Sequence, residues 1–226
     1  MFKTELELSK LIDHTLLKPN ATSEDLAFLC DQADVYNFKM VAINQTWTKF
    51  CTDELIDSEV RVGAAIAFPL GQTSIESKVA ETKDAIKNGA DEIDYVLHIG
   101  KLLEKDYDYI EDEMRKVVSV CKENKVISKV IFETCYLEDQ DIIAASQIAK
   151  KVKPTFIKTS TGFGPEGATL ENVKLMKCVV GDDVLVKAAG GIRDLAKLTM
   201  MVENGASRIG TSSGIKIMEE YRRQNK

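Results

Sequence analysis

Residues 155–188 read TFIKTSTGFGPEGATLENVKLMKCVVGDDVLVKA. They pass from a short apolar strand through a glycine-rich loop and a helix-periodic stretch into a second apolar strand, which is one complete βα unit. Working outward, the same alternation covers the chain from residue 38 to its end. Strands are expected at 38–43, 61–67, 91–97, 127–134, 155–160, 183–188 and 206–210. Between them, 74–88 carries Ile75, Val79 and Ile86 on one face behind a Thr73-x-x-Glu76 capping box. Likewise 106–124 carries Ile110, Met114, Val117 and Cys121 at helical spacing. Pro19, Pro69, Pro154 and Pro165 all fall outside these helices.

Near-continuous apolar strands in strict βα alternation mean a parallel sheet covered by helices. Seven strands are evident, and the segment around Leu11–His14 supplies an eighth after a short amphipathic opening. Eight strands close a (β/α)8 TIM barrel with a short N-terminal helical segment. A chain of 226 residues suits that fold as one domain over 1–226. A doubly wound sheet would offer a GxGxxG turn after its first strand, and none follows 38–43. The echo between NGADEIDYV (88–96) and NGASRIGTS (204–212), each a glycine helix stop running into a strand, fits repeated βα units.

Composition narrows the function. Thirty Lys and Arg against 36 Asp and Glu give a net charge of −6, which weighs against a nucleic-acid surface. Apolar runs such as 62–70 and 126–132 are far short of the roughly 20 residues that span a bilayer. The opening MFKTELELSK has no apolar h-region, so no secretory leader is expected. Cys30, Cys51, Cys121, Cys135 and Cys178 lack CxxC spacing and read as reduced thiols of a cytoplasmic protein. His14 and His98 form no HExxH or Cys/His cluster, so no metal site is expected.

Barrel enzymes carry their chemistry at the C-terminal strand ends. Here those ends offer Asp13, Asn44, Phe68, Asp94, Glu133, Lys158, Lys187 and Ser212. Lys158 and Lys187 stand in apolar strands one βα unit apart, which places their strands side by side, ~4.8 Å apart. Burial among Phe, Ile, Leu and Val depresses an ammonium pKa, and a second ammonium depresses it further. The product is a neutral amine able to form a Schiff base. Each lysine could instead snorkel from its strand end to solvent; two on adjacent strands, each followed by a glycine-containing loop, favour the chemical reading. The loops 159–169, 188–194 and 210–215 present glycine and serine beside helix N-termini, which suits a phosphate. Alternation places Asp94 inward with Glu92, as counter-ion or as proton shuttle. Asp13 is either the acceptor for a substrate hydroxyl or a cap for the following turn. His14 and His98 read as structural, and Trp47 as packing.

Six collinear blocks carry a resemblance: LIDHTLLKP (11–19), DEIDYVLHIG (91–100), KVIFETCYL (129–137), FIKTSTGFGPEGAT (156–169), VKAAGGIRD (186–194) and NGASRIGTSSGI (204–215). Together they resemble the deoxyribose-phosphate aldolases. The resemblance implies a class I aldolase on a (β/α)8 barrel. Such an enzyme reversibly cleaves 2-deoxy-D-ribose 5-phosphate to D-glyceraldehyde 3-phosphate and acetaldehyde, with no metal and no cofactor. It assigns imine formation to Lys158, the neighbouring ammonium to Lys187 and the proton relay to Asp94. Gly190, Gly191, Ser212 and Ser213 match phosphate-holding positions, and Gly162 and Asp13 complete the expected substrate-binding set. Ala42, Gln45, Ala67 and His98 depart from the family's frequent Cys, Pro, Gly and Asn. The expected partner is a small phosphosugar, with no nucleic acid and no membrane, and a homodimer is a possible assembly. Two other readings remain: a Schiff-base aldolase of another specificity, such as a transaldolase-like or keto-acid aldolase, and a catalytically silent phosphosugar-binding barrel.

Overall fold

The computed structural model describes residues 2–225. After helix α1 (Glu5–Ser9), eight strands follow: β1 (Ile12–Leu16), β2 (Met40–Asn44), β3 (Arg61–Ile66), β4 (Glu92–Val96), β5 (Ile127–Ile131), β6 (Phe156–Lys158), β7 (Leu185–Ala189) and β8 (Ala206–Thr211). Each pairs in parallel with the next, and β8 returns to β1, closing the barrel. The helices between them are α2 (Ser23–Val35), α3 (Thr48–Glu54), α4 (Ile75–Lys87), α5 (Ile99–Leu103), α6 (Tyr107–Glu123), α7 (Asp139–Val152), α8 (Leu170–Val180), α9 (Leu195–Glu203) and α10 (Gly214–Gln224). The fold and the order of strands follow the expectation, including the weakly marked first strand, but β5 and β6 stop at Ile131 and Lys158, short of the expected 134 and 160. None of the helices described is long and apolar enough to cross a membrane.

Local chemistry explains the helix starts. Thr22 and Asp25 form a capping box for α2, and Thr169 and Asp194 cap α8 and α9 through their side chains. The expected cap at Thr73 is displaced by one residue. Ser74 is the cap, accepting the Ser77 N–H at 3.1 Å. That phase buries Ile75, Lys78, Thr82 and Ala85, while Val79 and Ile86 are half-buried. On α6 the expected face, Ile110, Met114, Val117 and Cys121, is buried as read.

Alternation along the strands separates two interiors. Outward residues such as Val41, Ile43, Ile93, Val130, Ile157 and Val186 join the helices in the apolar core. Inward residues carry charge: Asp13, Glu92, Asp94, Lys129, Lys158, Lys187 and Arg208 are all buried. At the end of β3 the departure to Ala67 has a physical signature. Its backbone is left-handed at φ 50°, where glycine would avoid a Cβ clash. The Ala67 N–H is held by Glu81 at 2.8 Å.

Candidate active site

Strand register builds the charged layer. Asp94 pairs with Lys129 across β4–β5, Lys158 with Lys187 across β6–β7, and Lys187 with Arg208 across β7–β8. Parity aims all of them inward. Asp94 Oδ2 accepts from Lys158 Nζ at 2.8 Å and from Lys187 Nζ at 2.8 Å, while Oδ1 accepts from Lys129 Nζ at 2.5 Å. Lys187 also lies 2.5 Å from Asp13 Oδ2, and Arg208 donates to Asp13 Oδ1 at 2.6 Å. Arg208 spans to Glu92 at 3.0 and 3.1 Å, and Lys129 reaches Glu92 at 2.6 Å.

The electrostatics follow from that packing. Burial pushes the Lys158 pKa down, Lys187 and Lys129 push in the same direction, and Asp94 opposes them; the outcome is about 8. Burial alone would raise Asp94, but the ammonium groups of Lys129, Lys158 and Lys187 hold it well below the usual carboxylate range. Glu92 is similarly drawn to about 2: burial opposes this, and Lys129 and Arg208 overcome it. Burial disfavours the Lys129 charge, yet Asp94 and Glu92 raise its pKa. Four buried cations therefore share three carboxylates, with half-buried Arg61 also reaching Glu92 at 3.3 Å, and the excess positive charge falls when one ammonium loses its proton. Lys158 is the member of this layer that lines the cavity.

That cavity, of about 290 Å³, opens at the C-terminal end of the barrel. Its wall includes Lys158, Thr161, Gly162, Gly190, Gly191 and Ser212. Gly190 (φ 88°) approaches so closely that a Cβ on it would lie 2.9 Å from Gly167 Cα and 3.5 Å from Gly162 Cα. Ser213 stands one residue behind the wall, at the start of α10, with its N–H on Thr211 Oγ1 at 2.9 Å. Asp13 is not in the wall. Both its oxygens are engaged inside the barrel, and the following helix is capped by Thr22 instead. Beside the cavity runs an apolar groove of about 430 Å³, lined by Leu70, Leu103 and Tyr136 among others. Thr161 and Phe163 belong to both walls, and Phe163 meets Phe68 edge-on at 5.4 Å.

Lys129 and Arg208 went unread in the sequence, although the signal was there. Lys129 shares strand parity with Glu133, and Arg208 with Ser212. The histidines are structural as expected: His14 Nε2 bonds Gln32 at 2.8 Å, and His98 caps α5, with Nδ1 accepting the Lys101 N–H at 3.2 Å. Trp47 is half-buried, edge-on to Phe50.

Fold and site define a (β/α)8 barrel that holds a lysine of lowered pKa among paired charges at the strand ends. A family model for DeoC/LacD family aldolases matches residues 8–220. A deoxyribose-phosphate aldolase of Lactobacillus acidophilus is 58% identical over 213 residues, covering 94% of this chain and 90% of that one. The crystal structure of a putative deoxyribose-phosphate aldolase from Coccidioides immitis superposes with a TM-score of 0.93 at 36% identity, covering 97% and 87% of the two chains. The deoxyribose phosphate aldolase from Aeropyrum pernix, described as a unique tetramer, superposes at 0.92 with 29% identity, covering 99% and 94%. The chain belongs to the DeoC/LacD aldolase family. It is an aldolase, a carbon–carbon lyase.

Proposed function

We propose that this aldolase reversibly cleaves 2-deoxy-D-ribose 5-phosphate to D-glyceraldehyde 3-phosphate and acetaldehyde through an imine on Lys158. The observation that carries the proposal is a cavity-lining lysine with its pKa drawn to about 8, bonded at 2.8 Å to an acid that a second lysine shares. Neutral Lys158 Nζ attacks C1 of the open-chain sugar, and loss of water leaves an iminium. Asp94 and Lys187, acting through a water, take the proton of the C3 hydroxyl. The C2–C3 bond breaks, its electrons enter the iminium as an enamine, and glyceraldehyde 3-phosphate leaves. Protonation of the enamine at C2 and hydrolysis of the resulting iminium release acetaldehyde and free the lysine. The iminium is the electron sink, so the cycle needs neither metal nor cofactor.

The phosphate fits the Gly162, Gly190, Gly191 and Ser212 side of the cavity, near the starts of α9 and α10; Ser213, expected to join it, stands behind the wall with its N–H on Thr211. Asp13 acts on Lys187 and Arg208 as their counter-ion. The same reading takes residues 1–226 as one catalytic domain. It also includes self-association, supported by the tetrameric description of the Aeropyrum relative.

The test is product analysis together with borohydride reduction. Incubation with 2-deoxy-D-ribose 5-phosphate should yield both aldehydes, and reduction should leave one adduct, on Lys158. Cleavage of another phosphosugar in its place would reassign the specificity. An adduct on Lys187 would exchange the two lysines' roles.

A further inference from the structure

β6 is only three residues long, yet it carries Lys158 and delivers the chain to the cavity wall. The end of β5 holds that exit. The Phe132 N–H donates to the Lys158 carbonyl and the Thr134 N–H to the Thr159 carbonyl, each at 2.9 Å. Between them Glu133 adopts a left-handed backbone, φ 57° and ψ 62°. A side chain with a Cβ disfavours this conformation, which persists only where the surroundings over-determine it. The result turns its carboxylate, in a residue 2% exposed, toward the loop after β6. There Oε1 accepts the Thr161 N–H at 3.1 Å, and Oε2 accepts the Thr161 hydroxyl. With β6 already ended, the Thr161 N–H has no ladder partner, and the carboxylate replaces one.

The hold passes onward. Thr161 Oγ1 accepts the Phe163 N–H at 3.0 Å, so Thr161, Gly162 and Phe163 are fixed as a unit. At Gly164 a Cβ would lie 2.6 Å from Cys135 Sγ and 3.5 Å from Glu133 Oε1, so the two loops pack in contact there. The Lys158 ammonium makes no hydrogen bond to this side chain and bonds Asp94 instead. Its backbone is held by pairing to β5 and β7.

We propose that Glu133 is the positioning residue for the phosphate end of the site: its carboxylate sets the Thr161–Phe163 wall against the Gly190–Gly191 turn. The inference rests on the phosphosugar reading above. It separates two tasks, since binding of the phosphate arm depends on Glu133 and imine formation at Lys158 does not.

The experiment compares the unaltered chain with Glu133→Ala and Glu133→Gln in two assays. One gives kcat and KM for cleavage of 2-deoxy-D-ribose 5-phosphate; the other is borohydride trapping of acetaldehyde, which reaches Lys158 and carries no phosphate. Glu133→Ala should raise KM roughly 10-fold or more, the scale of one lost buried hydrogen-bond partner. Trapping should remain near the unaltered rate. Glu133→Gln keeps an acceptor oxygen for the Thr161 N–H and should recover most of the KM. A parallel fall in cleavage and trapping, or no change in either, overturns the proposal. Should Glu133→Ala not fold, Glu133→Asp keeps the charge and withdraws the carboxylate from Thr161; the same split is expected, and its absence overturns the proposal. No cleavage by the unaltered chain would overturn the phosphosugar reading, and this inference with it. Cleavage without the split overturns this inference alone.

Discussion

Lys158 and Lys187 face each other as direct partners in the β6–β7 ladder, and both ammonium groups lie 2.8 Å from one oxygen of Asp94. Two like charges on one carboxylate oxygen cannot both be fully compensated. The strain falls on Lys158, the member at the cavity, where burial already disfavours the charge.

The pH dependence of imine formation follows. With the Lys158 pKa at about 8, the rate of trapping acetaldehyde should rise through pH 8 and level above it. Lys187→Met removes a charge that depresses Lys158, so the rising limb should move to higher pH. Initial rates of the borohydride-trapped adduct across pH check both statements. A limb that stays in place would show that Lys187 does not act through its charge.

Asp94→Asn should move the same limb the other way, because Asp94 raises the Lys158 pKa. The variant also leaves Lys129, Lys158 and Lys187 short of an anion. Breaking such a buried network costs about 3–5 kcal/mol, and losing a proton-transfer group lowers kcat roughly 100-fold or more. Urea titration and steady-state kinetics measure the two losses separately. Stability unchanged from the unaltered protein would contradict the network's weight.

A second buried ion pair should matter for stability. Lys78 and Glu113, both fully buried, pair at 2.5 Å; Lys78 also donates to the Val96 carbonyl at 2.8 Å, and Glu113 accepts the His98 N–H at 3.1 Å. Lys78→Met strands the Glu113 charge and should cost about 3–5 kcal/mol, whereas Lys78→Met with Glu113→Leu should recover much of it. Thermal or urea unfolding of the two variants decides. A double variant less stable than the single one would reverse the argument.

Gly167→Ala tests the glycine cradle. A Cβ there would lie 2.2 Å from the Gly190 carbonyl oxygen, so the turn must shift. Backbone strain of that kind costs about 1–3 kcal/mol, expected here as a roughly 10-fold rise in KM for the phosphosugar. Acetaldehyde trapping should change little. Equal loss in both assays would mean that the turn supports the barrel and not the phosphate.

Chelators should leave turnover unchanged. Among the described residues, no group of three or more His, Cys, Asp or Glu side chains is placed to hold a metal ion. Loss in EDTA with rescue by zinc or magnesium would contradict the iminium as sole electron sink.

What could be read in advance depended on how local each signal was. Lys158 and Lys187 announced themselves as cations inside apolar runs, and strand parity was enough to aim Asp94 at them. Parity counted back from Glu133 reaches Lys129, but that lysine borders no glycine loop and drew no attention. Lys78 was hidden by the same logic that found its helix. The amphipathic face was built from apolar positions, and the partner that makes burial of an ammonium tolerable lies 35 residues away on α6. Asp13 was legible as an acid at a strand end. Its engagement by Arg208, from the far end of the chain, follows only from barrel closure. The cap falls at Ser74 in place of Thr73, one residue on in a stretch where both side chains carry a hydroxyl that can cap.

The link from Arg208 to Asp13 joins residues 195 positions apart, and Arg208 reaches Glu92 as well. During synthesis the acids on β1 and β4 are made long before the guanidinium that satisfies them. A nascent barrel of seven strands lacks the guanidinium that bridges Asp13 on β1 to Glu92 on β4, and it leaves the edges of β1 and β7 unpaired. Closure then coincides with arrival of the last strand, and such distant pairing slows folding. A chain ending before Ala206 should accordingly remain protease-sensitive throughout, with no protected seven-strand core. Arg208 thus ties completion of the charged interior to the arrival of the last strand.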